Sequence, residues 1–272
     1  MKIFFLFVGL MLVSPGVLGQ QKQLPAIQKQ LPAKIQFDYE LRLKVDFKRR
    51  EAFLKKSGEE PSAYEKALGF ISGSIYAADI TDIVEMSGTK YQINSTGTFT
   101  FALDLALQGQ KLLRQSYGDV TKDGLSTLSY IERRGNTEPL QAKLDRKANK
   151  VILVKEKTVT GSAPIAGNLL DLLNVMYTFL GRQQPPVRAT YNVTDSKSLK
   201  QYTLNRGELW NFPFNGTKVR AYRYFKSTTK NDSATLEIWL TEKDNIPLRM
   251  IVGLGERYGA TIQADLKSIP AI

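Results

Sequence analysis

The sequence predicts a mainly β fold: a single antiparallel, strongly curved sheet or half-open barrel of about 10–12 strands. Three observations predict it. Ile35, Phe37, Tyr39, Leu41, Leu43, Val45 and Phe47 occupy every second position of one segment, with Gln36, Asp38, Glu40, Arg42, Lys44 and Asp46 between them. A period of two puts the apolar set on one face of a strand and the polar set on the other. Further strand-like runs recur roughly every 8–14 residues, separated by turn residues. One long apolar stripe, Ile165 to Leu180, has steps of three and four, which predicts a single helix lying against the sheet's concave face.

Lys2 precedes an apolar run, Ile3 to Val13, that Ser14-Pro15-Gly16 breaks. Val17 and Gly19 then suit a cleavage site before Gln20. Residues 1–19 are expected to be a signal peptide and the mature chain to be periplasmic. The apolar run is shorter than the about 20 residues of a membrane span, so no span is expected after cleavage. Gln20 stands where a lipoprotein would have cysteine. Residues 20–34 repeat Gln-Lys-Gln-Leu-Pro-Ala in tandem, which reads as a disordered or extended leader.

A single domain is expected over 35–268, with an insertion at 48–80. Lys48, Arg49, Arg50, Lys55 and Lys56 open that insertion as a basic cluster. Ser62-Ala63-Tyr64-Glu65 fits a capping box, and Ala67, Leu68, Ile71, Ile75 and Ala78 recur at helical spacing. An inserted helix is expected at about 61–78. Phe99, Phe101, Leu103, Leu105 and Leu107 alternate again, as a strand would. Ser162 and Pro164 suit a helix start and Gly181 a helix end, so the apolar helix is expected at about 163–180. Strand-like runs then continue to Leu266, with no composition break.

The chain has no cysteine and no histidine. That removes disulfides, the commonest general base and the usual zinc or iron ligands. No nucleophile elbow and no phosphate-binding Gly-Lys-Ser/Thr loop occurs. No catalytic residue, metal or cofactor is therefore assigned. The formal charge of +12 favours an anionic surface such as lipid headgroups; export argues against nucleic acid.

Asp171-Leu172-Leu173-Asn174-Val175-Met176-Tyr177 and the cassette Glu237-Ile238-Trp239-Leu240-Thr241, turn, Ile246-Pro247-Leu248-Arg249-Met250 resemble the bacterial envelope family called domain of unknown function 3108. The resemblance covers roughly residues 35–268 and departs at the insertion. It implies an exported protein with a half-barrel similar to periplasmic lipoprotein carriers, and it carries over no catalytic residue. Two functions fit. In one, Phe99, Phe101, Leu169, Leu172, Met176 and Phe179 bind a lipid or acyl chain inside the half-barrel. In the other, the helix plugs the barrel, and the protein binds envelope partners through a sheet edge or through the basic cluster.

Overall fold

The computed structural model describes residues 31–58, 60, 73–100, 111–228, 233–255 and 259–272. Strand β1 (Lys34–Val45) is followed by helix α1 (Phe47–Ser57), then by β2 (Gly73–Ser87), β3 (Lys90–Phe99), β4 (Leu112–Thr121), β5 (Gly124–Arg134), β6 (Leu140–Asp145), β7 (Lys150–Lys155) and β8 (Thr158–Pro164). The second half holds β9 (Leu169–Asp171), β10 (Arg188–Thr194), β11 (Leu199–Phe214), β12 (Thr217–Lys226), β13 (Thr235–Thr241), β14 (Pro247–Gly253) and β15 (Ala260–Leu266). Among the described residues, 15 strands form one sheet that is not closed into a barrel, in the order β8-β7-β6-β5-β4-β3-β2-β1-β15-β14-β13-β12-β11-β10-β9. Strand β1 is thus central. The chain meanders out from it to the edge strand β8, crosses to the other edge at β9, and meanders back to β15 on the far side of β1. The strand count exceeds the expected 10–12: β2 begins inside the expected insertion, β8 runs into the start of the expected apolar helix, and β9 lies within it.

The alternation in β1 works as read. Ile35, Phe37, Tyr39 and Val45 are buried, while Gln36, Arg42 and Lys44 are exposed. It stops two residues short of Phe47, because Asp46 caps α1: its side chain accepts from the Arg49 amide at 3.1 Å. Gly58, in the left-handed conformation at φ 67°, ends that helix by donating to the Leu54 carbonyl. Helix α1 occupies the basic opening of the insertion, ahead of the stretch where a helix is expected. Residues 61–72 of the expected helix fall outside the described residues. Residues 73–78 are strand, paired with Leu41–Val45. The physical reason for the misreading is a bulge. Leu41 faces Ala78 and Arg42 faces Tyr76, so Ala77 is an extra residue. Ile75 and Ala78 then share a face at a spacing of three, which mimics a helical step.

The helix expected at 163–180 does not form. Pro164 ends β8, Leu169–Asp171 pair in parallel with Asn192–Thr194, and only Asn174–Tyr177 form a single 3-10 turn. From Leu169 to Gly181 every residue but Leu172 is buried. A segment surrounded by protein has no polar face, so its apolar spacing carries no helical information. Gly167 at φ +80° breaks the path before β9. Side chains within the segment then compete for its backbone, as described next.

Candidate functional site

Asp171 is wholly buried, and its carboxylate organises the turn around it. Oδ1 accepts from the amides of Leu173 at 2.9 Å and Asn174 at 2.8 Å. The Asn174 Oδ1 in return accepts from the Asp171 amide at 2.9 Å. These local bonds hold the backbone in a tight turn instead of a helix. Oδ2 of Asp171 accepts from the Ser116 hydroxyl at 2.5 Å and the Thr127 hydroxyl at 2.8 Å, which come from β4 and β5. Asn174 Nδ2 donates to Tyr91 Oη of β3 at 2.5 Å and to Thr127 Oγ1 at 2.8 Å. Burial raises the Asp171 carboxyl above the ordinary carboxylate value, against the pull of the bonds from Ser116, Asn174, Thr127 and Leu173.

A second buried group follows along the same segment. The Tyr177 hydroxyl donates to Asp82 Oδ2 of β2 at 2.8 Å and lies 3.2 Å from Tyr39 Oη of β1. Its ring packs on Phe37 with centroids 5.1 Å apart. Asp82 is raised by burial, and the neighbouring Arg114 opposes that shift. Arg114 donates to Ser95 Oγ at 3.0 Å and sits in the field of Asp82 and Glu132. Toward the other half of the sheet, Phe179 packs on Tyr224 of β12 at 4.8 Å and on Tyr191 of β10 at 6.4 Å. The Gly181 amide donates to the Asp244 carbonyl, and Asn245 Nδ2 donates to the Arg182 carbonyl. One segment thus reaches β1 to β5, β10, β12 and the β13–β14 turn.

Of the sequence-predicted ligand residues, Leu169, Met176 and Phe179 are buried in one continuous core, and the half-buried Leu172 and Phe99 pack against it. Phe101 lies outside the described residues. The basic cluster is split by α1. Lys48, Arg49, Lys55 and Lys56 are exposed, whereas Arg50 is only 7% exposed. Gly259 allows that approach: a Cβ there would stand 2.8 Å from the Arg50 Cβ. Lys55 pairs with Glu51 at 2.8 Å on the outer side of the helix.

Sequence reasoning missed the buried polar cluster. The signal was present in Ile80-x-Asp82-x-Val84, where a charged residue occupies an inward position of an alternating strand. Arg114 and Ser116 hold the corresponding positions of β4. Asp82 and Asp171 are closed to solvent. The largest of the surface clefts described, about 550 Å³, lies between Glu138, Lys155, Glu156, Thr160 and Lys197. Among the described residues no cluster of three or more acidic side chains could hold a metal ion, and no helix is long and apolar enough to cross a membrane. No family model, curated protein or solved structure matches the chain.

Proposed function

We propose that this chain is an exported, non-enzymatic binding protein that acts from the outside of a plugged half-barrel, rather than by carrying an acyl chain within it. The observation that carries this reading is the anchoring of residues 169–181. Leu169, Met176 and Phe179 fill the interior themselves, and Asp171, Asn174 and Tyr177 tie their segment to five neighbouring strands. An acyl chain in the same place would have to displace these side chains and leave their polar partners unsatisfied, at about 1–3 kcal/mol each.

Strong curvature is part of the proposal. A flat sheet of this many strands would separate its edges by about 65 Å. Pro164 at one edge and Leu169 at the other are joined by a link that spans at most about 18 Å. This supports a sheet bent round its own middle segment. Kinship with the envelope family named above belongs to the same proposal, and the β13–β14 hairpin is the element that supports it. The exposed lysines of α1 and an open sheet edge are the surfaces through which partners are met.

The test is native mass spectrometry of the purified chain, followed by solvent extraction. An empty, cooperatively folded protein is the expected result. A stoichiometric lipid, lost in Met176→Trp while the fold is kept, would overturn the plugged reading in favour of the carrier.

A further inference from the structure

On the polar face of the sheet around β1, arginines are paired with acids. Arg42 meets Glu40 at 2.5 Å, Arg223 meets Glu237 at 2.6 Å, and Arg249 pairs with Asp265. Lys44, on the same face, breaks this pattern. Its cross-strand neighbours are Thr261 of β15 and Ser74 of β2, which offer hydroxyls in place of carboxylates. Among the described residues its ammonium has no ion-pair partner.

The row continues across the sheet. Lys44 stands opposite Thr261, Thr261 opposite Gly253, and Gly253 opposite Thr235. Directly opposed residues put their side chains on one face. Thr235 and Thr261 are thus two strand spacings apart, about 10 Å, and Gly253 leaves a notch between them. A Cβ on Gly253 would lie 2.4 Å from Thr235 Oγ1, so that hydroxyl leans into the notch. A Cβ on Gly255 would lie 3.3 Å from Ser233 Oγ, which puts another hydroxyl on the same lip. Asp46 and Arg49, from the start of α1, join these residues in lining a cleft of about 180 Å³.

The side chains around this cleft are mostly donors. Among the described residues, the hydroxyls of Ser233, Thr235 and Thr261 have no hydrogen-bond partner, and each can turn its proton toward a guest. Lys44 and Arg49 bring two positive charges. The lining carboxylate, Asp46, is engaged at the helix cap, where Oδ1 accepts from the Arg49 amide at 3.1 Å. Two cations against one carboxylate leave an excess of one positive charge. A guest that answers this set is compact, negative and rich in acceptor oxygens. A metal cation would meet Lys44 and Arg49, and an acyl chain would offer the hydroxyls nothing to bond. A planar carboxylate has two oxygens for donors that stand on both sides of the notch. A phosphate ester presents three strong acceptor oxygens in a tetrahedral head.

We propose that the notch over Gly253 is a binding site for one phosphate group, held by the hydroxyls of Ser233, Thr235 and Thr261 and by the charges of Lys44 and Arg49. The absence of a side chain at Gly253 makes the room, and the two threonines fix the group from either side. The phosphate is carried by the headgroup of an anionic lipid or by a soluble phosphate, and the recognising chemistry is the same for both. Helix α1 begins at this cleft, so the notch would add a specific contact to the diffuse attraction of the exposed lysines. The inference rests on the reading that partners are met at the outer surface beside α1, and it names their chemistry there.

The test is calorimetric titration of the mature chain with inorganic phosphate at constant ionic strength, with amide NMR shifts followed in parallel. One phosphate per chain is expected, with a dissociation constant in the millimolar range, and chloride should give no saturable response. The largest shifts should fall on Thr235, Gly253 and Thr261. Gly253→Ala puts a methyl group in the notch against a hydroxyl that can rotate away, so the fold should hold, as circular dichroism would verify, while the dissociation constant rises about tenfold or more. Lys44→Gln removes a charged donor from an exposed position and should have a similar effect. Absence of saturable phosphate binding, or binding that both variants leave within about twofold of the parent, overturns the site. Vesicles of phosphatidylglycerol identify the source. If Gly253→Ala also weakens their co-sedimentation, the group is a lipid headgroup; if it weakens only the inorganic phosphate titration, the group is a soluble phosphate, and the site stands in either case. Reversing Lys55 and Lys56, more than a turn further along α1, should leave the phosphate titration within about threefold. Loss of the α1 contact and loss of the notch are therefore told apart.

Discussion

Replacing Asp171 separates the charge of the buried carboxylate from its hydrogen bonds. In Asp171→Ala the amides of Leu173 and Asn174 lose their acceptor inside the protein. Each orphaned donor costs about 1–3 kcal/mol. The Ser116 and Thr127 hydroxyls can turn to Tyr91 and to each other's neighbours, so they add little. Removing a carboxylate whose burial is unfavourable returns part of the loss. The net expectation is about 2–4 kcal/mol of lost stability. Asp171→Asn keeps an oxygen for both amides and presents its NH₂ to hydroxyls that can accept. It should cost less than about 1 kcal/mol at neutral pH. Urea unfolding reads both as a change of midpoint at constant slope. The pH dependence has a definite sign. Asp171 is raised from an ordinary value of 3.8, so between that value and its folded one the native state holds more protons than the unfolded chain. Its contribution to stability therefore falls as pH rises through that window and is regained on acidification. Asp171→Asn should flatten that component. If Asp171→Asn is as damaging as Asp171→Ala, the anchor depends on the charge and the argument from orphaned amides fails.

Phe179→Ala should cost about 3–5 kcal/mol, since its ring packs between Tyr224 and Tyr191, and thermal unfolding measures the loss. A near-neutral result would mean that the interior has room for a ligand. Gly118→Ala should fail to fold or lose at least about 3 kcal/mol, because a Cβ there would sit 2.0 Å from the Ser126 carbonyl oxygen, and soluble expression with circular dichroism would show it. Reversing Lys48, Lys55 and Lys56 to Glu should leave the sheet folded, since these side chains are exposed, while it breaks the Lys55–Glu51 pair and puts acid at the C-terminal end of α1. The same variant should abolish salt-sensitive co-sedimentation with anionic vesicles; binding that survives both the reversal and high salt would exclude α1 as the contact.

Much of the fold was legible in the sequence wherever one face of a strand is wet. In β1, and in the cassette Glu237 to Met250, the alternation of apolar and polar residues states the face directly. Legibility failed at two kinds of place. At Ala77 a bulge moved the phase by one residue, and no composition signal distinguishes an extra strand residue from a helical step. At Leu169–Leu180 the chain is buried on every side, so apolar spacing had nothing to alternate with. The polar residues of that same segment were the better guide. Asp171 and Asn174, three apart, offer the backbone local bonds that compete with a helix, which is why residues of this type favour turns.

The interior anchor also bears on why the segment is polar at all. An apolar plug of the same volume would avoid the cost of burying Asp82 and Asp171, and swaps of that kind are often neutral or stabilising. An apolar plug would, however, fit in many registers, because dispersion contacts have no direction. Here Asp171 must reach Ser116 and Thr127 while Tyr177 reaches Asp82 and Tyr39. Those two demands, six residues apart in the chain, are met in one position only. With β1 joining the two halves of the sheet at its centre and the 165–168 link joining its edges, the halves are tied on both sides. Opening the interior to admit a ligand would have to break this polar register first. Replacing Asp82 and Asp171 together by Leu should therefore lose the single register before it loses compactness, read as loss of near-ultraviolet dichroism with far-ultraviolet dichroism retained.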